Sequence, residues 1–298
     1  AQGKQTWLTA GPPDRPAPNR RMSSEPGPRT VLLTGATDGI GRCTARLLAA
    51  RAGTRLLLHG RSADKGALLL QELRALAADG VEVSFHLADL SRLDEVRALA
   101  EDVRGAVPAL DVLINNAGAG PGAEGSQRQE AHDGHELILT VNALAPYLLA
   151  ELLQPLLRGG RAPRAVHLAS LGQAPVRLED LDFREGYQGL AAYRRSKLAL
   201  IMLSLQQAER WREGGVAVHS LHPGTLLNTA MVREGWKEVR GEPEEGAESV
   251  MHVALSEDVK GTGTFFDRKR PSRALEEAYD ARARQRLEAV AREWTGLS

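Results

Sequence analysis

Residues 30–41 read Thr30-Val31-Leu32-Leu33-Thr34-Gly35-Ala36-Thr37-Asp38-Gly39-Ile40-Gly41. A short β-rich apolar run ends in a turn carrying three glycines, and residues 41–52 then have helical composition. Glycine reaches backbone angles that a Cβ forbids and lets an anion come close to the chain. The unpaired N–H groups at the following helix start then bind that anion. The stretch therefore predicts a phosphate-binding loop between a strand and a helix. Its spacing is Gly-x3-Gly-x-Gly rather than the commoner Gly-x-Gly-x-x-Gly. The bland alternative is a tight turn without a ligand.

Outward from this loop the same alternation repeats. Further apolar β-rich runs occupy 55–59, 81–87, 111–114, 165–169, 216–221 and 263–266. Helical patterns fill 64–78, 93–105, 137–157, 191–212, 243–255 and 274–294. Strands alternating with helices predict βαβ units, hence a doubly wound α/β domain over 29–298 with a seven-stranded parallel sheet covered on both faces. Residues 1–28 hold six of the fifteen prolines and no apolar period, which reads as a flexible lead. Met22 precedes the ordered pattern, so residues 1–21 are expected to be an added or dispensable arm whose removal leaves stability and activity intact.

Composition narrows the function. The 38 Lys+Arg balance the 38 Asp+Glu, so no global basic field exists to gather nucleic acid. The single cysteine, Cys43, can form neither an intrachain disulfide nor a Cys-rich metal site; a reducing cytoplasm is the default and no metal is expected. Residues 137–157 are apolar and long enough to span a membrane, but they contain Asn142, Glu151, Gln154 and two prolines, as an interior helix does. No membrane partner is expected. A composition rich in Ala, Leu and Arg, with 32 Arg against 6 Lys, implies a GC-rich, bacterial source.

Three further features carry chemistry. The second strand ends at His59-Gly60-Arg61, where a dinucleotide site for NAD places an acid on the ribose 2′-hydroxyl. Arg61 would instead meet a 2′-phosphate, which favours NADP(H); Arg42 is a second candidate, and both could be plain surface arginines. Tyr193 and Lys197 lie four apart in the opening of a long helix and share a face. A tyrosine titrates near ~10, and a neighbouring ammonium lowers that value toward acid–base work at neutral pH. Ser170 ends the fifth strand, in the crevice where α/β sheets bind ligands, and its hydroxyl can orient a substrate carbonyl.

Taken together, these residues resemble the short-chain dehydrogenase/reductase family. The matching pieces are Thr34 to Gly41, Ala88-Asp89-Leu90, Asn115-Asn116-Ala117-Gly118, Asn142, Ser170, the Tyr193/Lys197 pair and His222-Pro223-Gly224, in family order. The resemblance implies a Rossmann fold. It implies a cofactor held by Gly35, Thr37, Asp38, Gly39, Ile40 and Gly41 at the phosphates, and by Arg61 at the 2′-phosphate. Asp89 and Leu90 would flank the adenine, and Asn115, Ala117 and Gly118 would line the ribose side and brace the central strands. Pro223, Gly224 and Thr225 would close over the nicotinamide. Tyr193 would protonate the carbonyl oxygen, Ser170 would position it, Lys197 would hold the nicotinamide ribose, and Asn142 would hold a water that relays protons to Lys197. His167 and His222 have structural rather than proton-transfer roles in this pattern, and Cys43 reads as packing.

The 23-residue spacing from Ser170 to Tyr193, the insert 176–189 and the tail after Glu244 resemble the retinol dehydrogenase-like subgroup. Ala169 and Leu200 depart from its usual residues. The expectation is an NADP(H)-dependent oxidoreductase, a ketoreductase or alcohol dehydrogenase, acting on a carbonyl or alcohol of a mostly apolar small molecule. The alternatives are a non-catalytic NADP(H)-binding sensor or scaffold, and a membrane-attached member of the subgroup. Segments 119–136, 171–189 and 226–240 are expected to set substrate choice, the last as a lid bearing Met231 and Trp236. The apolar helices 137–157 and 191–212 are expected to pair between subunits in a homodimer or tetramer, intradomain burial being the alternative.

Overall fold

The computed structural model describes residues 8–9, 27–123, 125–236 and 238–297. The expected lead lies outside them except for Leu8–Thr9 and the last two residues, 27–28. Among the described residues one sheet contains nine strands: β1 (Leu8–Thr9), β2 (Arg29–Leu33), β3 (Thr54–Gly60), β4 (Glu82–Leu87), β5 (Val112–Asn115), β6 (Arg164–Leu168), β7 (Ala217–His222), β8 (Thr264–Asp267) and β9 (Arg270–Ser272). Their order is β1-β4-β3-β2-β5-β6-β7-β8-β9. Strands β2 to β8 are the seven expected parallel strands, and β1 and β9 add antiparallel edges.

The helices are α1 (Gly39–Ala49), α2 (Ala63–Leu76), α3 (Leu93–Ala106), α4 (Leu137–Leu139), α5 (Ala145–Arg158), α6 (Gly189–Trp211), α7 (Ala230–Gly235), α8 (Pro243–Leu255) and α9 (Ala281–Trp294). Successive strand residues point to opposite faces, so one apolar run feeds two cores. Val31, Leu33, Leu56 and Leu58 pack with Leu48 of α1 and Val250 of α8. Leu32, Leu57 and Leu113 pack with Val96 of α3 and Leu149 of α5. Each such leucine, fully withdrawn from water, contributes roughly 1.5–3 kcal/mol. The strand order reverses between β2 and β5, and a crevice opens there at the carboxyl ends of the strands.

Local differences from the sequence expectation have physical causes. Residues 137–158 form one continuous helix, as expected, but a π turn, Thr140–Leu144, interrupts its α-helical ladder between α4 and α5. Pro146 has no N–H to give to the Asn142 carbonyl four residues back, so the α-helical ladder cannot run through. The apolar window in this stretch is 72% buried inside the fold. The terminal helix starts at Ala281 rather than 274, because the Asp280 side chain accepts the Arg282 N–H at 2.8 Å and the Ala283 N–H at 3.2 Å as an N-cap. A 3-10 turn, Glu276–Tyr279, precedes it.

Helix α9 lies on α6. Leu287 and Ala291 join the cluster containing Leu198, Ile201 and Leu205. Arg284 pairs with Glu209, Arg210 with Glu288 at 2.8 Å, and the Tyr147 hydroxyl donates to Glu288 at 3.0 Å. Among the described residues, these contacts bury part of α6 within one chain. Five histidines, His59, His86, His167, His219 and His222, sit buried on β3, β4, β6 and β7. Burial pushes each of their pKa values down to about 4.

Candidate active site

A cleft of about 780 Å3 runs across the switch point. At one end, Asp38 caps α1, its Oδ1 accepting the Gly39 N–H at 2.7 Å. A Cβ on Gly41 would stand 2.0 Å from the Gly35 carbonyl oxygen and 2.5 Å from Asn116 Nδ2. Gly35 has φ +64°, and a Cβ there would stand 2.8 Å from Ala117 Cα. Only glycine allows this turn to fold back on itself and leave the α1 terminus open to the cleft. His59 holds the loop from behind: its Nδ1 accepts the Gly35 N–H at 3.3 Å while Nε2 lies 3.0 Å from the Ala88 carbonyl. These partners place the proton on Nε2. Asn116 Nδ2 donates to the Thr34 and Gly35 carbonyls at 2.8 and 3.0 Å.

Arg61, Ser62 and Lys65 line the cleft beside this loop. Arg61 forms no ion pair among the described residues, while Lys65 lies 3.5 Å from Asp38. Arg42 is held by Glu72 at 2.8 Å and is not part of the lining. Asp89 and Leu90 line the cleft too, with Asp89 Oδ1 accepting the Ser91 N–H at 2.9 Å.

At the other end, Tyr193 and Lys197 project from the second and third turns of α6. The Ser170 side chain lies close enough to the Tyr193 hydroxyl to favour its ionised form. Ser170 lies two residues beyond β6, and its Oγ accepts the Gly172 N–H at 2.9 Å. Lys197 Nζ donates to the Leu168 carbonyl at 2.8 Å and lies 5.6 Å from the centre of the Tyr193 ring. Burial lowers the Lys197 pKa to about 8. Burial raises that of Tyr193, and only the nearby Ser170 side chain opposes it. The lowering of the tyrosine expected from Lys197 does not occur here, and the net shift is upward.

Asn142 sits on the π turn, and its side chain is heavily engaged. Oδ1 accepts the Ala119 N–H at 2.7 Å, and Nδ2 donates to the Ala119 carbonyl and to Ser196 Oγ, both at 3.0 Å. A Cβ on Gly118 would stand 3.2 Å from Asn142 Oδ1 and 3.7 Å from Lys197 Nζ, so the glycine keeps a gap beside both groups.

Of the expected site residues, Gly35, Thr37, Asp38, Gly39, Ile40, Gly41, Arg61, Asp89, Leu90, Ala117, Gly118, Tyr193, Lys197 and Pro223 line the one cleft. Asn115, Asn142, Ser170, Gly224 and Thr225 do not. Ser170 and Asn142 stand directly behind the lining, as their contacts above show. Asn115 is farther off: it is buried on the sheet, with Nδ2 3.2 Å from both the Pro146 carbonyl and His167 Nδ1. Its neighbour Asn116 faces the loop instead. Thr225 is exposed, its hydroxyl 3.1 Å from His222 Nε2.

The sequence reading passed over Asn116 as a cleft residue and Lys65 altogether, and took in Glu136 and Thr229 only as members of the segments expected to set substrate choice. Lys65 carried a usable signal, being basic, four residues after Arg61 and in the first turn of an expected helix. Residues 226–241 form an excursion closed at its base, where the Asn228 N–H donates to the Gly241 carbonyl and the Arg240 N–H to the Leu226 carbonyl. Leu226 itself has φ +50°, a strained angle for a leucine. The excursion reaches both ends of the cleft. Thr229 packs over Gly39, Met231 lies against Gly118 and Gly120, and the Trp236 ring meets Tyr193 edge-on at 5.4 Å.

The known proteins agree with this architecture. A family model for short chain dehydrogenase matches residues 29–240. Retinol dehydrogenase 14 of Homo sapiens is 31% identical, over 100% of this chain and 96% of its own length. A protein of Mycobacterium paratuberculosis superposes with a TM-score of 0.74 at 29% identity, covering 91% of this chain and 94% of that one. RhlG of Pseudomonas aeruginosa, solved as an NADP active-site complex, superposes with a TM-score of 0.65 at 26% identity, covering 81% and 94%. By the extent of the family match and the likeness to a retinol dehydrogenase along its whole length, the chain belongs to the short-chain dehydrogenase family, whose members are oxidoreductases binding NAD(P)(H).

Proposed function

We propose that this chain is an NADP(H)-dependent oxidoreductase that interconverts a carbonyl and an alcohol on a mostly apolar small molecule, with Tyr193 as the acid and base. The observation that carries the reading is the grouping of Tyr193 with the Ser170 side chain and with Lys197, in the same cleft as an anion-accepting helix terminus. The dinucleotide fits that cleft. Glycine at 35, 39 and 41 lets the turn pack against Ala117, Thr229 and its own backbone, which no Cβ would allow, and α1 points its free N–H groups into the cleft. Arg61 and Lys65 supply the positive charge that a 2′-phosphate needs, and no acid ends β3. When bound, the nicotinamide supplies or accepts the hydride.

The chain's own residues manage position and protons. Ser170 Oγ, already accepting the Gly172 N–H, has its own proton to place on the substrate oxygen. Tyr193 delivers its proton to that oxygen as charge develops there. Lys197, with a pKa of about 8, gives the phenolate that results a cation close by, and its ammonium would hold the ribose hydroxyls of the bound dinucleotide. A water in the gap at Gly118 would bridge Asn142 Oδ1 and Lys197 and return the proton. Pro223 and the 226–241 excursion cover the reacting position and exclude bulk water.

The test is NADPH consumption by the purified chain across lipophilic aldehydes, ketones and quinones. Tyr193→Phe should lower kcat by about a thousand-fold while the NADPH Kd changes less than about two-fold. A variant that turns over as fast as the parent would remove Tyr193 from the mechanism.

A further inference from the structure

One wall of the cleft carries a polar pair that this reaction does not use. Glu136 is 1% exposed, and it lines the cleft together with Tyr187. The Tyr187 hydroxyl donates to Glu136 Oε1 at 3.0 Å, and Glu136 Oε2 accepts the Leu139 N–H at 2.6 Å. Tyr187 packs in the apolar cluster that also takes in Ala119, Ile138 and Tyr193, so the pair stands at the substrate end.

It is also held firmly. Glu136 closes the segment after β5 and Tyr187 belongs to the insert before α6, and a second link ties the same two segments. Arg128 Nη2 donates to Asp182 Oδ2 at 3.0 Å, and Asp182 Oδ1 accepts the Glu136 N–H at 2.8 Å. Burial and the adjoining carboxylate both push the Tyr187 pKa up, so the phenol keeps its proton and spends it on Glu136. What remains on Tyr187 Oη is lone pairs. An oxygen so committed accepts a hydrogen bond and cannot give one.

We propose that Tyr187 determines specificity: its phenol oxygen, oriented by Glu136, receives a hydrogen bond from a second hydroxyl group of the substrate, remote from the reacting carbon. This deepens the reading of the site as a carbonyl–alcohol oxidoreductase and rests on it. A bare hydrocarbon at this wall strips water from the Tyr187 lone pairs and returns nothing, whereas a hydroxyl replaces the lost bond. Ser126, Gln127 and Gln129 line the same cleft and extend its polar character beyond what a hydrocarbon substrate would call for.

The experiment measures kcat/KM with NADPH for straight-chain methyl ketones from hexan-2-one to dodecan-2-one. Each is compared with its terminal hydroxy derivative and with the methyl ether of that derivative. The ladder scans the distance between the reacting carbon and the hydroxyl. In the wild-type protein the hydroxy ketone should exceed both its parent and its ether by about ten-fold or more at one chain length. In Tyr187→Phe that ratio should fall to about one. Ratios are taken within each variant, so a general loss of activity cancels.

Glu136→Gln is the sharper variant. A glutamine amide donates to the phenol oxygen and turns the Tyr187 proton toward the cleft, so the methyl ether should gain on the parent ketone. A merely structural role for the pair would not reverse this preference. If parent ketones are turned over but no length favours the hydroxyl, or the preference survives in Tyr187→Phe, the subsite is wrong and the oxidoreductase reading stands. If the wild-type protein turns over no member of the ladder and no compound of the wider carbonyl panel, that reading falls and the subsite falls with it.

Discussion

The two ends of the cleft are held by different physics. The phosphate-loop end is built from backbone, where Gly41 lies against the Gly35 carbonyl and Asn116 and His59 fasten the loop from behind. The substrate end is built from side chains on segments far apart in sequence: Arg128 with Asp182, Tyr187 with Glu136, Trp236 with Tyr193. The first kind of support tolerates almost no change, because a carbonyl oxygen cannot move aside without moving the strand. The second kind adapts, because a rotamer change costs little. A scaffold with one rigid and one adjustable end can keep its cofactor while its substrates vary.

The largest test of this contrast compares two glycines. A Cβ at position 41 meets backbone at 2.0 Å, whereas one at Gly120 meets Met231 Cγ at 2.6 Å, on a flexible side chain. Gly41→Ala should destabilise the protein by about 3 kcal/mol and weaken NADPH binding by about a hundred-fold or more. Gly120→Ala should change the NADPH Kd less than about three-fold and act on KM instead. Denaturant melts and cofactor titrations of the two variants decide it, and equal losses would erase the distinction.

Lys197 gives an effect of similar size and opposite sign. It lies at the substrate end, but its support is the Leu168 carbonyl, and burial lowers its pKa from 10.5 to about 8. Between these values the unfolded chain binds more protons than the folded one, so stability rises with pH from about 8 toward 10.5. Below 8 the cost of burying the ammonium is present in full, at about 3 kcal/mol. Lys197→Met should therefore raise the stability of the cofactor-free protein at neutral pH by up to that amount. It should also remove the rise in stability between pH 8 and pH 10 that Lys197 contributes to melts of the wild-type protein. A variant less stable than the parent at pH 7 would mean that the bond to Leu168 outweighs the burial.

The smallest effect belongs to Arg61, exposed at the cleft rim. Arg61→Asp should lower the preference for NADPH over NADH by about ten-fold, read from the two Kd values. An unchanged ratio would move the 2′-phosphate to Lys65 alone.

The same contrast explains what could be read in advance. The sheet was legible because each central strand feeds two cores and so reads as a continuous apolar run bounded by turns. The phosphate loop was legible because its geometry depends on glycines within eight residues. Asn115 and Asn116 show where such reading stops. Alternation says that they point to opposite sides, but only the third dimension says which one meets the loop. Strand β9 is three residues long, mostly exposed and centred on Pro271, so it had no alternation to show. The Arg128–Asp182 link spans 54 residues, and no local pattern announces it. The apolarity of the long helices says that they are to be buried, but no local pattern says that α9 covers part of α6.

The five neutral histidines in the sheet have a consequence for how this protein responds to acid. Between about pH 5 and pH 8, where histidine usually supplies a protein's change of charge, these five hold still. His59 in particular keeps the same tautomer on the Gly35 N–H across that range. The floor beneath the cofactor loop is electrically silent, and a drift in cellular pH reaches the chemistry through Lys197 without first deforming the cradle.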